Sequence, residues 1–240
     1  MQSAVGVSMK WLGVLLLCSA MVGAEPVKLV TGSDYPPFTD SKLPDGGLAT
    51  VRVQRAFAAA GVDSELFWRP WANGYKATLQ GEFAATFPYI RTPEREAEFL
   101  YSQPLFELRL FVFGRLGENL NGSQPATLRG KRYCQPLGWA VLPAIEALIK
   151  RGELYYHRPN DMAACMRLIA LNYSDFTVTD HAQGLQLLGQ LPATGNIIPL
   201  GEVMSVQTLH LIVPKAAPGG AALLQQFNTG LQRLGNKPAQ

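Results

Sequence analysis

Arg95 is the residue of this chain most pointedly placed to do chemistry. It closes the run Thr92-Pro93-Glu94-Arg95. Thr92 is a good helix N-cap and Pro93 suits the first helical position. Glu94 then fits the first turn, where the aligned peptide dipoles leave about half a positive charge, and Arg95 does not. A guanidinium set over unpaired backbone N–H groups gathers positive charge with no counter-charge of its own. The plainer reading pairs Arg95 with Glu94 or Glu98 on the helix surface, for about 0.2–0.5 kcal/mol. Just upstream lies Thr86-Phe87-Pro88-Tyr89-Ile90. Pro88 has no N–H and offers only a carbonyl, which can accept from an ammonium. Phe87 and Tyr89 alternate with it, so at least one of them is expected to face away from any pocket that Pro88 lines.

Other chemistries find less support. His157, His181 and His210 are far apart and lack partners at metal-ligand spacing. No nucleophile elbow, phosphate loop or zinc-protease pair is present. Asp34 and Glu107 are the acids available for general acid–base work, but no paired carboxylates stand at a suggestive spacing. The net charge is +3, and no run of Lys/Arg interleaved with aromatics argues for nucleic acid. No cofactor and no metal is expected.

The first residues read as an export signal. Lys10 precedes the apolar run from Trp11 to Val22, and Val22-Gly23-Ala24 offers small residues for cleavage near Ala24. The run is too short for a membrane span, which needs about 20 residues. Met9-Lys10 makes a tidier start than Met1. Cleavage leaves about 216 of the 240 residues, enough for one large or two small domains. It also removes Cys18 and leaves Cys134 and Cys165. Two thiols in an oxidising compartment point to one disulfide; a pair of buried free cysteines is the alternative.

The elements that must position Arg95 alternate between β and α. Val27-Lys-Leu-Val-Thr31 reads as a strand running into the Gly32-Ser-Asp-Tyr-Pro-Pro-Phe38 loop. Val51, Val53, Ala56, Phe57 and Ala60 mark one face of a helix that Gly61 stops. Ser64 to Trp68 is a strand, Ala72 to Gln80 a helix and Phe83 to Ile90 the next strand. A second series follows, with strands near Tyr133, Tyr155 and Thr177 and helices at Pro143–Lys150 and after Asp161. The predicted architecture is therefore a parallel or mixed sheet with helices on its faces. Two long β runs, 107–115 and 207–215, separate the series from what flanks it. They suggest a chain that leaves one lobe, builds a second and returns to close with an amphipathic helix over 219–235. Such a double crossover suits hinge bending about a ligand.

In this order, TGSDYPPF (31–38), TPEREAEFLYSQPLF (92–106), DFTVTD (175–180) and LLQQFNTGLQRL (223–234) resemble the family 3 extracellular solute-binding proteins of the polar amino-acid-binding type. The resemblance covers nearly the whole chain after the export signal. It implies a type II periplasmic-binding-protein fold, an α/β fold of two lobes joined by two β crossovers. The lobes would be 25–113 plus 214–240, and 114–213. It also implies that Arg95 holds a ligand carboxylate, that Asp180 takes an ammonium, and that Tyr35 and Trp71 line the pocket. Asp180 has a second reading as the N-cap of the following helix. Trp139, after the turn QPLGW, is a further pocket candidate. The expected function is capture of a small polar solute, an amino acid or related carboxylate, by a periplasmic monomer that serves a membrane permease. A sensing module for a membrane receptor and an enzyme such as a dehydratase are the alternatives on the same fold.

Departures from the pattern bear on the solute. Small hydroxyl residues are usual in the strand before the arginine, where this chain has Phe87, Pro88 and Tyr89. Leu137-Gly-Trp-Ala140 stands where Thr or Ser often meets the carboxylate. The usual acidic pair after Gly47 is missing.

Overall fold

The computed structural model describes residues 25–235. The predicted export signal and Cys18 lie outside them. No described helix is long and apolar enough to cross a membrane. In chain order the elements are β1 (Val27–Thr31), α1 (Leu48–Ala59), β2 (Ser64–Trp68), α2 (Trp71–Leu79), β3 (Ala85–Tyr89), α3 (Pro93–Glu98), β4 (Phe99–Tyr101) and β5 (Phe106–Arg115). There follow β6 (Lys131–Cys134), α4 (Pro143–Lys150), β7 (Leu154–His157), α5 (Met162–Ala170), β8 (Phe176–Asp180), α6 (His181–Gln190), β9 (Ile197–Pro214) and α7 (Gly220–Arg233).

Two parallel units are joined through two long antiparallel strands. β1 lies parallel between β2 and β3, and β6 lies parallel between β7 and β8. β9 pairs with β3 and β4 through its last residues and with β5 over most of its length, while β5 also pairs with β8. The strand path is β2-β1-β3-β9-β5-β8-β6-β7. The sheet is thus mixed, with parallel strands buried under helices on each side and antiparallel strands at the junction. The two long runs seen in the sequence lie beside each other, from Phe106 opposite Leu209 to Arg115 opposite Ile197. β9 starts ten residues before the predicted run. Its first half, Ile197 to Val206, carries Pro199 and Gly201, which interrupt the apolar alternation that marks a strand.

Local sequence explains the elements that hold the site. Thr92 caps α3 by accepting from the Arg95 N–H at 3.3 Å, and Asp161 caps α5 by accepting from the Ala164 N–H at 2.6 Å. Asp180 ends β8 and caps α6, accepting from the Gln183 N–H at 2.9 Å. α7 packs on α1, where Phe57 and Phe227 meet at 4.9 Å between ring centroids. There Gly230 lies against the Ala56 carbonyl with no space for a Cβ. Cys134 and Cys165 form the disulfide, with Cα atoms 5.5 Å apart, tying the end of β6 to α5. Asp175 stands at the entry to β8, where Arg132 and Arg115 both bind it. Burial pushes its carboxyl up, but hydrogen bonds from the two arginines outweigh that and hold it at about 2.

Candidate functional site

One cavity collects all six residues singled out for ligand contact: Tyr35, Trp71, Pro88, Arg95, Trp139 and Asp180. It contains about 610 Å³ of empty space, part of it open to solvent. A broader mouth adjoins it, edged by Tyr75, Glu94, Glu146 and Arg158, and Arg95 belongs to the walls of both. The guanidinium therefore stands where the inner cavity meets the entrance.

Arg95 makes no ion pair with any carboxylate among the described residues. Glu96 pairs with Arg91 at 2.9 Å, and Glu98 accepts from the Tyr75 hydroxyl at 2.7 Å. This disposes of the plain helix-surface reading. Arg95 instead donates to the Ile90 and Gly138 carbonyls, each at 3.3 Å, and lies over the Tyr89 ring at 4.7 Å. Two of its five N–H donors are thus used, both in long bonds, and the rest remain for a guest. Gly138 comes from the turn after β6, so the second of these bonds crosses from one parallel unit to the other. The approach is close enough to need glycine. Gly138 has φ +83°, and a Cβ there would stand 2.9 Å from the Ala72 nitrogen.

Asp180 fulfils its reading as an N-cap and also lines the cavity. Its Oδ2 accepts from the Tyr35 hydroxyl at 2.9 Å across the cleft. The carboxyl is only 2% exposed. Burial raises its pKa, while the Gln183 N–H and the Tyr35 hydroxyl pull the other way. Tyr35 is itself held protonated, since burial and the neighbouring Asp180 push it well above the usual tyrosine range. A third bond across the cleft runs from the Gln183 amide to the Asp34 carbonyl at 3.2 Å.

Aromatic rings make up much of the wall. Tyr35, Trp71 and Trp139 pack against one another with centroids 5.0–6.4 Å apart, and Tyr89 meets Trp71 edge-on at 5.7 Å. Trp139 comes from the second series and Tyr35 and Trp71 from the first, so the cluster is closed from both sides. Gly32 makes room for Trp71, since a Cβ there would fall inside the indole. The Trp71 Nε1–H donates to the Asp34 carboxylate, whose other oxygen is buried without a partner among the described residues. Burial raises the Asp34 carboxyl to about 7 despite the Trp71 bond, and Asp161 and Asp40 add to the shift.

Pattern reading missed several members of this wall. Pro88 and the next residue, Tyr89, both line the cavity, while Phe87 is fully buried in the core. Strict alternation would have sent Tyr89 to the same face as Phe87. The pairing of β3 with β9 shifts register between Thr86 and Tyr89, and this irregularity turns consecutive residues to one side. Gln135, only 4% exposed, follows the disulfide cysteine directly, and its Oε1 at the cavity has no partner among the described residues. The buried Nε1 of Trp139 likewise has no acceptor among the described residues. Glu107, a candidate acid, is exposed on β5 and takes no part. No cluster of His, Cys, Asp and Glu among the described residues could hold a metal ion.

By sequence the chain matches no family model and no curated protein. By structure it is similar to an ancestral arginine-binding protein bound to arginine, with a TM-score of 0.75 and 20% identity, over 87% of this chain and 92% of that one. It is also similar to a histidine kinase sensor domain with similarity to periplasmic binding proteins, with a TM-score of 0.74 and 19% identity, over 88% and 90%. A third likeness is to the GluR0 ligand-binding core from Nostoc punctiforme in complex with L-glutamate, with a TM-score of 0.71 and 19% identity, over 87% and 92%. The chain has the two-lobed periplasmic-binding-protein-like fold. In this fold β5 and β9 are the connecting strands, and the cavity lies beside them, walled in part by Leu108, Leu110 and Leu209.

Proposed function

We propose that this protein captures a small carboxylate solute between its two lobes, with Arg95 as the anchor of the carboxylate. The observation that carries the reading is the state of Arg95. It is a half-buried guanidinium at the throat of the cavity, bonded to a carbonyl of the opposite lobe and ion-paired with no carboxylate among the described residues. Unpaired positive charge in such a place is relieved by an anionic guest, and a guest that touches both lobes favours their closure.

The lobes are taken as 25–113 plus 214–240, and 114–213, a division that falls near the end of β5 and at the end of β9. Tyr35, Trp71 and Trp139 clasp the body of the solute, and the Pro88 carbonyl and Asp180 lie on the side where a cationic end would sit. The setting is the periplasm, and the use is delivery to an ABC-type permease. The likeness to a kinase sensor domain supports a second use, in which the same closure is read by a membrane receptor.

A thermal-shift screen of amino acids, organic acids and amines tests the proposal. A guest that binds the folded state raises Tm by mass action, by about 2.7 kcal/mol of stability at a hundred times its Kd. Carboxylates are expected to shift Tm, and their esters and amides are not. Equal shifts from an acid and its amide would overturn the assignment.

A further inference from the structure

Two of the three rings that lobe 1 contributes to the aromatic wall, Tyr35 and Trp71, each lean on an acid. Tyr35 donates its hydroxyl to Asp180 at 2.9 Å, and Trp71 donates its indole N–H to Asp34. A donor hydrogen held by a carboxylate pushes electron density back into its ring, so the π face becomes more negative and a better seat for a cation. The site already shows that its rings take positive charge, because Arg95 rests 4.7 Å from the centroid of Tyr89. Trp139 supplies another ring from the opposite lobe.

Among the described residues the cavity offers few free acceptors for N–H groups, the unpaired Gln135 Oε1 and the Pro88 carbonyl, fewer than the three that a primary ammonium needs. A primary ammonium carries three donors, each needing a partner once buried. The Asp180 carboxyl is already approached by the Tyr35 hydroxyl and by the N–H groups of Gln183 and Ala182. Asp34 lies behind the Trp71 indole and is not part of the cavity wall. Pro88 gives a carbonyl, and Leu108, Leu110, Val178 and Leu209 give only hydrocarbon. A cation clothed in methyl groups needs no acceptor, and it gains from both the ring faces and the hydrocarbon.

Resting on the carboxylate-site reading above, we propose that the preferred guest is a small carboxylate bearing a methylated ammonium group. Its carboxylate lies on Arg95 and its cation against Tyr35, Trp71 and Trp139. The unpaired Trp139 Nε1–H and the spare Arg95 donors both serve the carboxylate end. Rings at 5.0–6.4 Å leave no gap for a cation between them, so Trp139 withdraws with its lobe to admit the guest and returns as a lid.

Calorimetric titration of the full chain with four compounds tests this. They are trimethylglycine, dimethylglycine, glycine and 3,3-dimethylbutanoate, the last having the shape of trimethylglycine with carbon in place of the charged nitrogen. Affinity is expected to rise with each methyl, at least tenfold from glycine to trimethylglycine. It is expected to fall at least fivefold when the charge is removed in 3,3-dimethylbutanoate. Tyr35→Phe keeps the ring but cuts its link to Asp180. It should weaken trimethylglycine severalfold more than 3,3-dimethylbutanoate, because the lost bond across the cleft affects both guests alike and the lost ring charge only the cation. If glycine binds as well as trimethylglycine, or the neutral analogue does, the methylated-cation proposal is wrong while the carboxylate site survives. If no carboxylate in the series or the wider screen binds, the site reading falls and this proposal with it.

Discussion

Asp34 should make the stability of this protein fall as the pH rises through neutrality, the reverse of ordinary acid denaturation. Its carboxyl titrates near 3.9 in an unfolded chain and at about 7 in the fold, because one oxygen is buried without a partner and the other has only the Trp71 N–H. The acids facing it are Asp40 on its own loop and Asp161 at the start of α5, and both oppose its ionisation. Between the two pKa values the folded state holds a proton that the unfolded state has lost. Stability from this group is therefore full below about pH 4 and disappears as the pH passes through 7. Integrated from pH 5 to 8, the loss comes to about 2–3 kcal/mol, or about 5–10 °C in Tm for a chain of this size. The perturbation is Asp34→Asn, which keeps an oxygen for Trp71 and removes the titration. His210, whose pKa is lowered by burial, gives a slope of the opposite sign, but it does so in both proteins and cancels in the difference. Calorimetric melts at pH 5 and 8 should show the two proteins close at pH 5 and Asp34→Asn more stable at pH 8. Parallel melting curves across this range would refute the reasoning.

Three further outcomes are expected. Gly32→Ala should drive the Trp71 indole from the cavity, costing about 1–3 kcal/mol of stability in chemical denaturation and about tenfold or more in affinity for any solute found by the screen. Replacing both Cys134 and Cys165 by Ala opens a loop of 31 residues and should cost about 3–4 kcal/mol, measured as a lower urea midpoint. Gly230→Ala should force α7 away from the Ala56 carbonyl on α1, which no side-chain rotation can relieve. A loss of about 3 kcal/mol is expected, with solute affinity little changed because the contact is remote from the cavity.

What the sequence disclosed follows from how local each signal is. Thr92 and Asp161 cap helices within three residues of themselves, so both helix starts were legible. β1 was legible from Val27, Leu29 and Val30, and β8 from Phe176 and the β-branched Thr177, Val178 and Thr179, residue types that favour strands. The first half of β9 was not, since proline and glycine there read as a loop until β5 supplies the partner. Arg95 stood out because its charge is misplaced at a helix start, a local contradiction. The bond between Tyr35 and Asp180 spans 145 residues, and nothing within either motif announces it. Gln135, Gly32 and Gly138 matter through close approach between distant segments, a property of packing that periodicity does not encode. The pairing of Cys134 with Cys165 was legible because the third cysteine, Cys18, falls in the predicted export signal.

Arg95 at the throat of the interlobe cavity is what the functional reading depends on. Its side chain is half-buried, not a packed core member, so Arg95→Ala should fold and melt within about 1 kcal/mol of the parent. Calorimetric titration of the two proteins with the strongest carboxylate from the screen is the most direct test. Loss of a charge-assisted pair in a sheltered site is expected to weaken binding by about 3 kcal/mol, roughly a hundredfold or more. A folded Arg95→Ala protein that binds the carboxylate as tightly as the parent would contradict the assignment outright.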